Sequence, residues 1–449
     1  MKSIIPFFVR IVASFTAVFT NFILAKHLGV EVFGIFSGML SIVFIINLIT
    51  DWGFNAYGAQ LLAQKTSLHE QNEFVNNVVA FKCILSVVFT ILYILFCIVG
   101  AKQPLYYTGA LLILLSFINP EWICRGMYFP DMAGYRQLLF SVLNISFFYV
   151  LYWLHAPFWL TFVSYTLNTV VSFGIVLFWV QRKSGLQWPL RRFSIKKIQH
   201  SGIVKHTSVY FYGFLLNNFN YTSGIVVLTF LVNAHSVGVY ASYYNIFATL
   251  VAPVAISYGL FAPKAHLMDA KSFFTDYFVV IIYMMAAGII FYFFGQFFYK
   301  LFYPTSFYFD AKLNVLAASV FVLYCLENLF VVCGVLQQKP KQYLICNAVG
   351  LITVLSMYVF LFFTHRLSVH TALLTIAVMQ MVMLVVSFYW YGYLVKYLLQ
   401  PAIALVGLLV VLLGAFLYWG LSIYICIVTA ILILLFIAGK LFVLLKNLY

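Results

Sequence analysis

The sequence predicts an all-α polytopic membrane protein of about fourteen transmembrane helices: two six-helix lobes and a C-terminal hairpin. Three observations point there. Hydrophobic residues make up 65% of the 449 positions and charged residues only 8%, far more apolar surface than a soluble fold of this size can hide. The apolar residues fall into runs of membrane-spanning length, well beyond the ~10-residue alternating strands of an outer-membrane barrel. The basic residues then gather on alternate loops.

The expected spans, in order, are 7–25, 32–50, 77–100, 105–118, 138–153 and 158–180. After a basic gap come 207–232, 239–261, 274–298, 313–336, 343–364 and 371–395, and a last hairpin is 401–419 and 421–445. This divides the chain into an N-terminal lobe (1–181), a basic linker (182–206), a second lobe (207–396) and an accessory hairpin (397–449). The first span has no small-residue cleavage site behind it and is read as retained, not as a signal peptide. The seven cysteines lie in or beside apolar runs without C-x-x-C spacing or companion histidines and read as apolar fillers.

Charge sets the orientation. With the N-terminus inside, twenty basic residues, Lys2, Arg10, Lys82 and the linker cluster among them, fall on the inner side. Five are left outside: Lys26, Lys102, Lys300, Lys312 and Arg366. That asymmetry places both termini on the cytoplasmic side and accounts for the net charge of +15 without a nucleic-acid partner. The linker reads as a solvated connector touching anionic lipid heads. Reporter fusions check the scheme: cytoplasmic signals are expected at Ser184 and Gln337, periplasmic ones at Gln103 and Ser368. A periplasmic signal at Ser184 would overturn the two-lobe division.

The first helical pair is the centre of the reading. At about 100° per residue, Arg10, Ser14 and Asn21 share a narrow arc of the first helix. Ser37, Asn47, Asp51 and Asn55 share about a third of the circumference of the second. A charge at membrane depth costs at least ~2.5–3.5 kcal/mol, so these faces are expected to line a wet, protein-walled cavity. A short repeat crosses the linker: EVFGIFSGMLSI (31–42) aligns without gaps to HSVGVYASYYNI (235–246), matching Gly34 to Gly238. Each copy opens the second helix of its half, which places a pseudo-twofold axis along the membrane normal. The seventh helix echoes the first, with Tyr210, Gly213, Asn217, Asn220 and Gly224 on one arc.

Three stretches, LAKHLGVEVFGIFS (24–37) with the D-x-G-F of DWGFN (51–55), PEWICRGM (120–127) and SVGVYASYYNI (236–246), carry a family likeness. The sequence resembles the bacterial polysaccharide (O-antigen or capsule) flippases, the Wzx-like branch of the multidrug/oligosaccharidyl-lipid/polysaccharide exporters. The resemblance implies a V of two lobes around a hydrophilic cavity. It also implies transport of undecaprenyl-diphosphate-linked repeat units from the cytoplasmic to the periplasmic leaflet. Lipid-linked oligosaccharide and membrane lipids would be its partners, with proton or sodium coupling, and a polysaccharide polymerase and chain-length regulator as further ones.

Such a cargo needs cations for phosphates and amides or aromatics for sugars. Arg10 either meets the phosphates or snorkels to the inner interface. Asp51 and Asn55 flank Gly53 and either line the cavity or cap a helix break. Tyr240, Tyr243 and Tyr244 are candidates to stack on sugar rings. With Ser14, Asn21, Asn217 and Asn220 these complete the expected cavity. Glu327, in the most deeply apolar setting of any acid, either couples ions or makes a silent interhelical hydrogen bond. Glu121 and Arg125 have the spacing of a local ion pair, and Trp122, Trp153, Trp159 and Trp419 suit interfacial belts.

No phosphate-binding Gly-rich loop, nucleophile motif, metal-ligand set or cofactor signature stands in the sequence. The chain is therefore expected not to be an enzyme. The rival readings are a drug or cation exporter of the same superfamily and, in another class, a polysaccharide polymerase. Such a polymerase usually carries a large outer loop, and none is present here.

Overall fold

The computed structural model describes residues 4–100, 103–127, 129–186, 203–261, 288, 291–336 and 340–395. Most of the linker, most of the span at 274–298 and the whole terminal hairpin lie outside the described residues, as do the side chains of Arg10, Ser14, Tyr210 and Asn328. All regular elements among the described residues are helical. In the first half they are α1 (Ile4–Asp51), α2 (Ala59–Ala63), α3 (Leu68–Val99), α4 (Thr108–Leu114), α5 (Glu121–Gly126), α6 (Pro130–Trp153) and α7 (Trp159–Ser184). The second half has α8 (Ile203–Leu231), α9 (Ala234–Phe261), α10 (Ala311–Leu336), α11 (Pro340–Phe363) and α12 (Val369–Val395). Seven of the described helices are long and apolar enough to cross a membrane.

The first two expected helices meet at a single non-helical residue, Gly29 (φ 71°, ψ 171°), within the expected turn at 26–31. That conformation is essentially closed to residues with a Cβ, so glycine is what allows the turn. The expected fourth span (105–118) is a 3₁₀ turn, α4 and a second 3₁₀ turn, and Pro120 then separates it from the short α5.

Helix α3 shows why the molecule belongs in lipid. Ile84, Val87, Val88, Ile91, Leu92, Leu95 and Ile98 form an exposed stripe at helical spacing. Lys82, Ser86, Thr90, Tyr93 and Cys97 are buried on the other face. A water-soluble helix has the opposite arrangement. In water each exposed aliphatic would forgo about 1.5–3 kcal/mol of burial, a penalty that hydrocarbon removes. Helix α11 repeats the pattern, with Ile352, Leu355, Val359 and Phe360 outside and Asn347, Val354 and Tyr358 inside.

Hydroxyls in these helices are mostly satisfied locally. Thr20, Ser41, Thr90, Thr166, Thr222, Thr229 and Thr375 each donate to the carbonyl four residues earlier. Between the halves, packing is steric and aromatic. Phe22 stacks on Phe302 (4.0 Å, 9°), Phe33 meets Phe307 edge-on, and Phe96 meets Phe230. The repeated segments themselves touch. A methyl group on Gly34 would strike the Ala234 carbonyl oxygen and lie 2.8 Å from Gly238 N. One on Gly238 would strike the Val30 carbonyl oxygen. Ala234 precedes Gly238 by four residues, as Val30 precedes Gly34, so the contact is reciprocal: each copy of the repeat offers the same two positions to the other.

Candidate functional site

The D-x-G-F segment of the first half is a knuckle in the backbone. Trp52 (φ 49°) and Gly53 (φ 76°) are both left-handed, and a π-helical turn, Phe54–Gly58, follows. Asp51 fixes the break in two ways. Its Oδ2 accepts the Asn55 backbone N–H at 2.8 Å, a cap, one of the two roles open to it from the sequence, and its Oδ1 meets Lys82 Nζ at 2.8 Å. Lys82, counted from the sequence among the bases of the inner side, is fully buried. Nearby, Ser116 Oγ lies 3.0 Å from Thr50 Oγ1 and 2.9 Å from Ser86 Oγ. Phe54 fills a core beside Trp122 and Phe74; Trp122 is thus a core residue, while Trp153 and Trp159 are exposed as an interfacial belt requires. The expected Glu121–Arg125 pair forms at 3.5 Å, Arg136 is a second partner of Glu121, and Arg125 Nη1 donates to the Asn55 carbonyl at 3.4 Å.

The second half holds a separate polar centre. Glu327 is fully buried and accepts a hydrogen bond on Oε2 from the Tyr221 hydroxyl at 2.9 Å. Its Oε1 has no partner among the described residues, and neither do Asn220 Oδ1, Asn347 Oδ1 or the Gln380 side-chain amide, all from fully buried residues. Asn220 donates to the Asn347 carbonyl at 3.1 Å, which ties α8 to α11. A small cavity beside this centre is lined by Tyr221, Tyr240, Tyr243 and Tyr244, with aliphatic walls from α10 and α12. Gly224 makes room for the Tyr240 hydroxyl, since a Cβ there would collide with it. Tyr240 faces Tyr244, and Tyr243 stacks on Tyr299 (4.9 Å, 24°).

Toward the loop before α10, Tyr243 and Asp310 exchange hydrogen bonds. The tyrosine hydroxyl donates to the Asp310 carbonyl at 3.2 Å and accepts the Asp310 N–H at 2.9 Å. The Asp310 carboxylate caps α10 and meets His370 Nε2 at 2.7 Å. Burial pushes this carboxyl up, but the Lys312 N–H, the His370 ring and the Leu313 N–H outweigh it and hold the group below its ordinary value.

The residues singled out from the sequence therefore divide. Asp51 and Asn55 meet at the knuckle. Asn220, Tyr240 and Glu327 gather in the second half, with Tyr221 linking the last two through the cavity wall and the carboxylate. Asn21 and Asn217 are half-buried on α1 and α8. Lys82, Tyr221, Asn347 and Gln380 are site residues that sequence reasoning passed over. Lys82 had a signal: Lys82, Ser86 and Thr90 recur every four residues opposite the apolar stripe.

Residues 2–263, more than half of the chain, match the family described as polysaccharide biosynthesis protein. The chain belongs to that family. No curated protein matches this family member's sequence. Among solved structures it resembles an inward-facing multidrug resistance MATE family transporter of the MOP superfamily (TM-score 0.64, 18% identity, covering 86% of this chain and 96% of that one). The outward-facing form of a MATE family transporter of that superfamily gives 0.60 at 15% identity, covering 88% and 96%. The MATE multidrug transporter DinF-BH, in a ligand complex, gives 0.65 at 15% identity, covering 87% and 94%. At these identities the likeness is one of fold: the polysaccharide-family member has the architecture of a membrane transporter.

Proposed function

We propose that the chain is a flippase that moves undecaprenyl-diphosphate-linked oligosaccharide repeat units from the cytoplasmic to the periplasmic leaflet by alternating access. Family membership motivates the cargo. The observation that carries the mechanism is the reciprocal Gly34–Gly238 contact, which gives two like halves a shared seam about which to rock. Residues 1–181 and 207–396 serve as the two lobes, with both termini cytoplasmic. Arg10, Ser14, Asn21 and Asn217 line the path, and Arg10 offers a planar fork for two phosphate oxygens.

Coupling to an ion gradient falls to Glu327. It is a fully buried carboxylate with one oxygen lacking a partner among the described residues, which makes it the group best placed to take up a proton or a small cation. The second reading, export of drugs or other cations, draws on the MATE-like fold.

The test is complementation of a strain lacking its own flippase, with surface glycan and membrane protein level measured together. The unaltered chain should restore glycan. Arg10→Ala should lose most export, because one charge-assisted contact is worth roughly 1.5–3 kcal/mol, and Arg10→Lys should keep part of it. Glu327→Gln, which retains shape and hydrogen bonding, should abolish export at normal abundance. Cationic dye efflux without glycan export would decide for the second reading; wild-type export by both Arg10→Ala and Glu327→Gln would remove these residues from the mechanism.

A further inference from the structure

We propose that the Trp52–Gly53 knuckle, seated on Phe211, is the cytoplasmic gate between the halves, with the Asp51–Lys82 ion pair as the positioning element that sets it. The inference rests on alternating access and on the proposed orientation, but not on the nature of the cargo. The Trp52 ring lies flat on Phe211 of α8, centroids 4.6 Å apart and planes 11° from parallel. Gly53 brings bare backbone against the same residue: a Cβ there would sit 3.2 Å from Phe211 Cα, Cβ and N, tighter than nine in ten real contacts. Gly34, at the other contact, lies seventeen residues before Asp51 on the same limb of α1. At 1.5 Å per residue this is roughly 26 Å, close to the thickness of the hydrocarbon core. The halves thus meet at two points on one helical limb, one toward each membrane face. Alternating access requires such a pair.

The inner contact is held under tension, whereas the outer one is plain helix packing. A tryptophan in the left-handed region is strained and persists only where its surroundings impose it. The surroundings are specific. Asp51 holds the Asn55 N–H on one oxygen and Lys82 on the other, and Arg125 holds the Asn55 carbonyl from the far side. Lys82 belongs to α3 and Arg125 to α5, so the first half grips the knuckle from two helices and presents it to α8. The ion pair acts through backbone geometry and touches no cargo.

The test uses the full chain with its native cysteines retained and introduces Trp52→Cys with Phe211→Cys, the disulfide being mapped by peptide mass. Oxidation should join the two positions and stop transport, and reductant should restore it. Ser86→Cys with Ser116→Cys, whose hydroxyl oxygens lie 2.9 Å apart within the first half, should cross-link without stopping transport, as should oxidation of the unaltered chain. Transport is read on whichever cargo the reduced chain moves, surface glycan or a cationic dye, so a wrong cargo and a wrong gate give different results. Adding Asp51→Asn should slow disulfide formation several-fold, and Lys82→Arg should leave it near the parent rate. Failure of the 52–211 disulfide to form, or unimpeded transport once it has formed, overturns the gate. An unchanged rate in Asp51→Asn removes the ion pair from it.

Discussion

Gly238→Val and Gly34→Val are each expected to abolish transport while the protein still reaches the membrane. At most of the described glycines an added side chain meets another side chain, which can turn aside. Here it meets the carbonyl oxygens of Ala234 and Val30, which belong to the backbones of the two packed helices and cannot. The helices would have to part by roughly 1 Å or more to regain ordinary separations. Overpacking of this kind costs about 1–3 kcal/mol, and about 2 kcal/mol acting on one of two access states shifts their ratio roughly thirtyfold. The closed outer seam should lose population, so a cysteine at Ala234 should label faster with an impermeant thiol reagent. Because both glycines serve one contact, the double variant should be little worse than either single one. Normal export by both valine variants at normal abundance would show that the seam is not part of the transport cycle.

Lys82→Met should be the most destabilising single change in the first half. It leaves the Asp51 carboxylate, which is only 6% exposed, with a single backbone N–H for compensation. Stranding one member of a buried pair typically costs about 3–5 kcal/mol, a large share of the ~5–15 kcal/mol that holds a typical domain together. Removing both charges should be milder, so Lys82→Met with Asp51→Asn should recover much of the loss. Thermal unfolding of the detergent-solubilised full chain reads this directly: the midpoint should fall most for Lys82→Met and rise again in the double variant. Equal midpoints for Lys82→Met and the unaltered chain would mean that the pair contributes nothing net.

The helical class and the described spans were legible because lipid imposes a simple code, long apolar runs broken by short polar turns. The repeat was legible too, and its matched glycines proved to be the point where the two copies touch. Partnerships between distant positions were harder to read. A cap was one of two roles legible for Asp51, because Gly53 marks a helix break beside it, but its other partner is thirty-one residues away on α3. The basic-residue bias counts Lys82 toward the inner side and says nothing of its burial. Trp122 was read as interfacial by residue type, yet the break at Pro120 turns its short helix into the core. In the second half, α8 carries the polar stripe seen in the sequence. Periodicity gives an arc but not the neighbour it faces, and Asn220 turns to Asn347 and Gly224 to Tyr240.

The habit of threonine and serine hydroxyls to bond back within their own helix has a mechanical consequence. Thr229, beside Gly38 where α8 approaches α1, has already spent its proton on Ile225. The surfaces that meet between the halves are phenylalanine rings and glycine backbone. Such surfaces can separate and close again without stranding a donor from those hydroxyls in a medium that has no water to replace the lost bond. Their separation forfeits mainly dispersion, which lipid tails or an entering hydrocarbon chain can supply in return. The join between the halves is greased rather than glued.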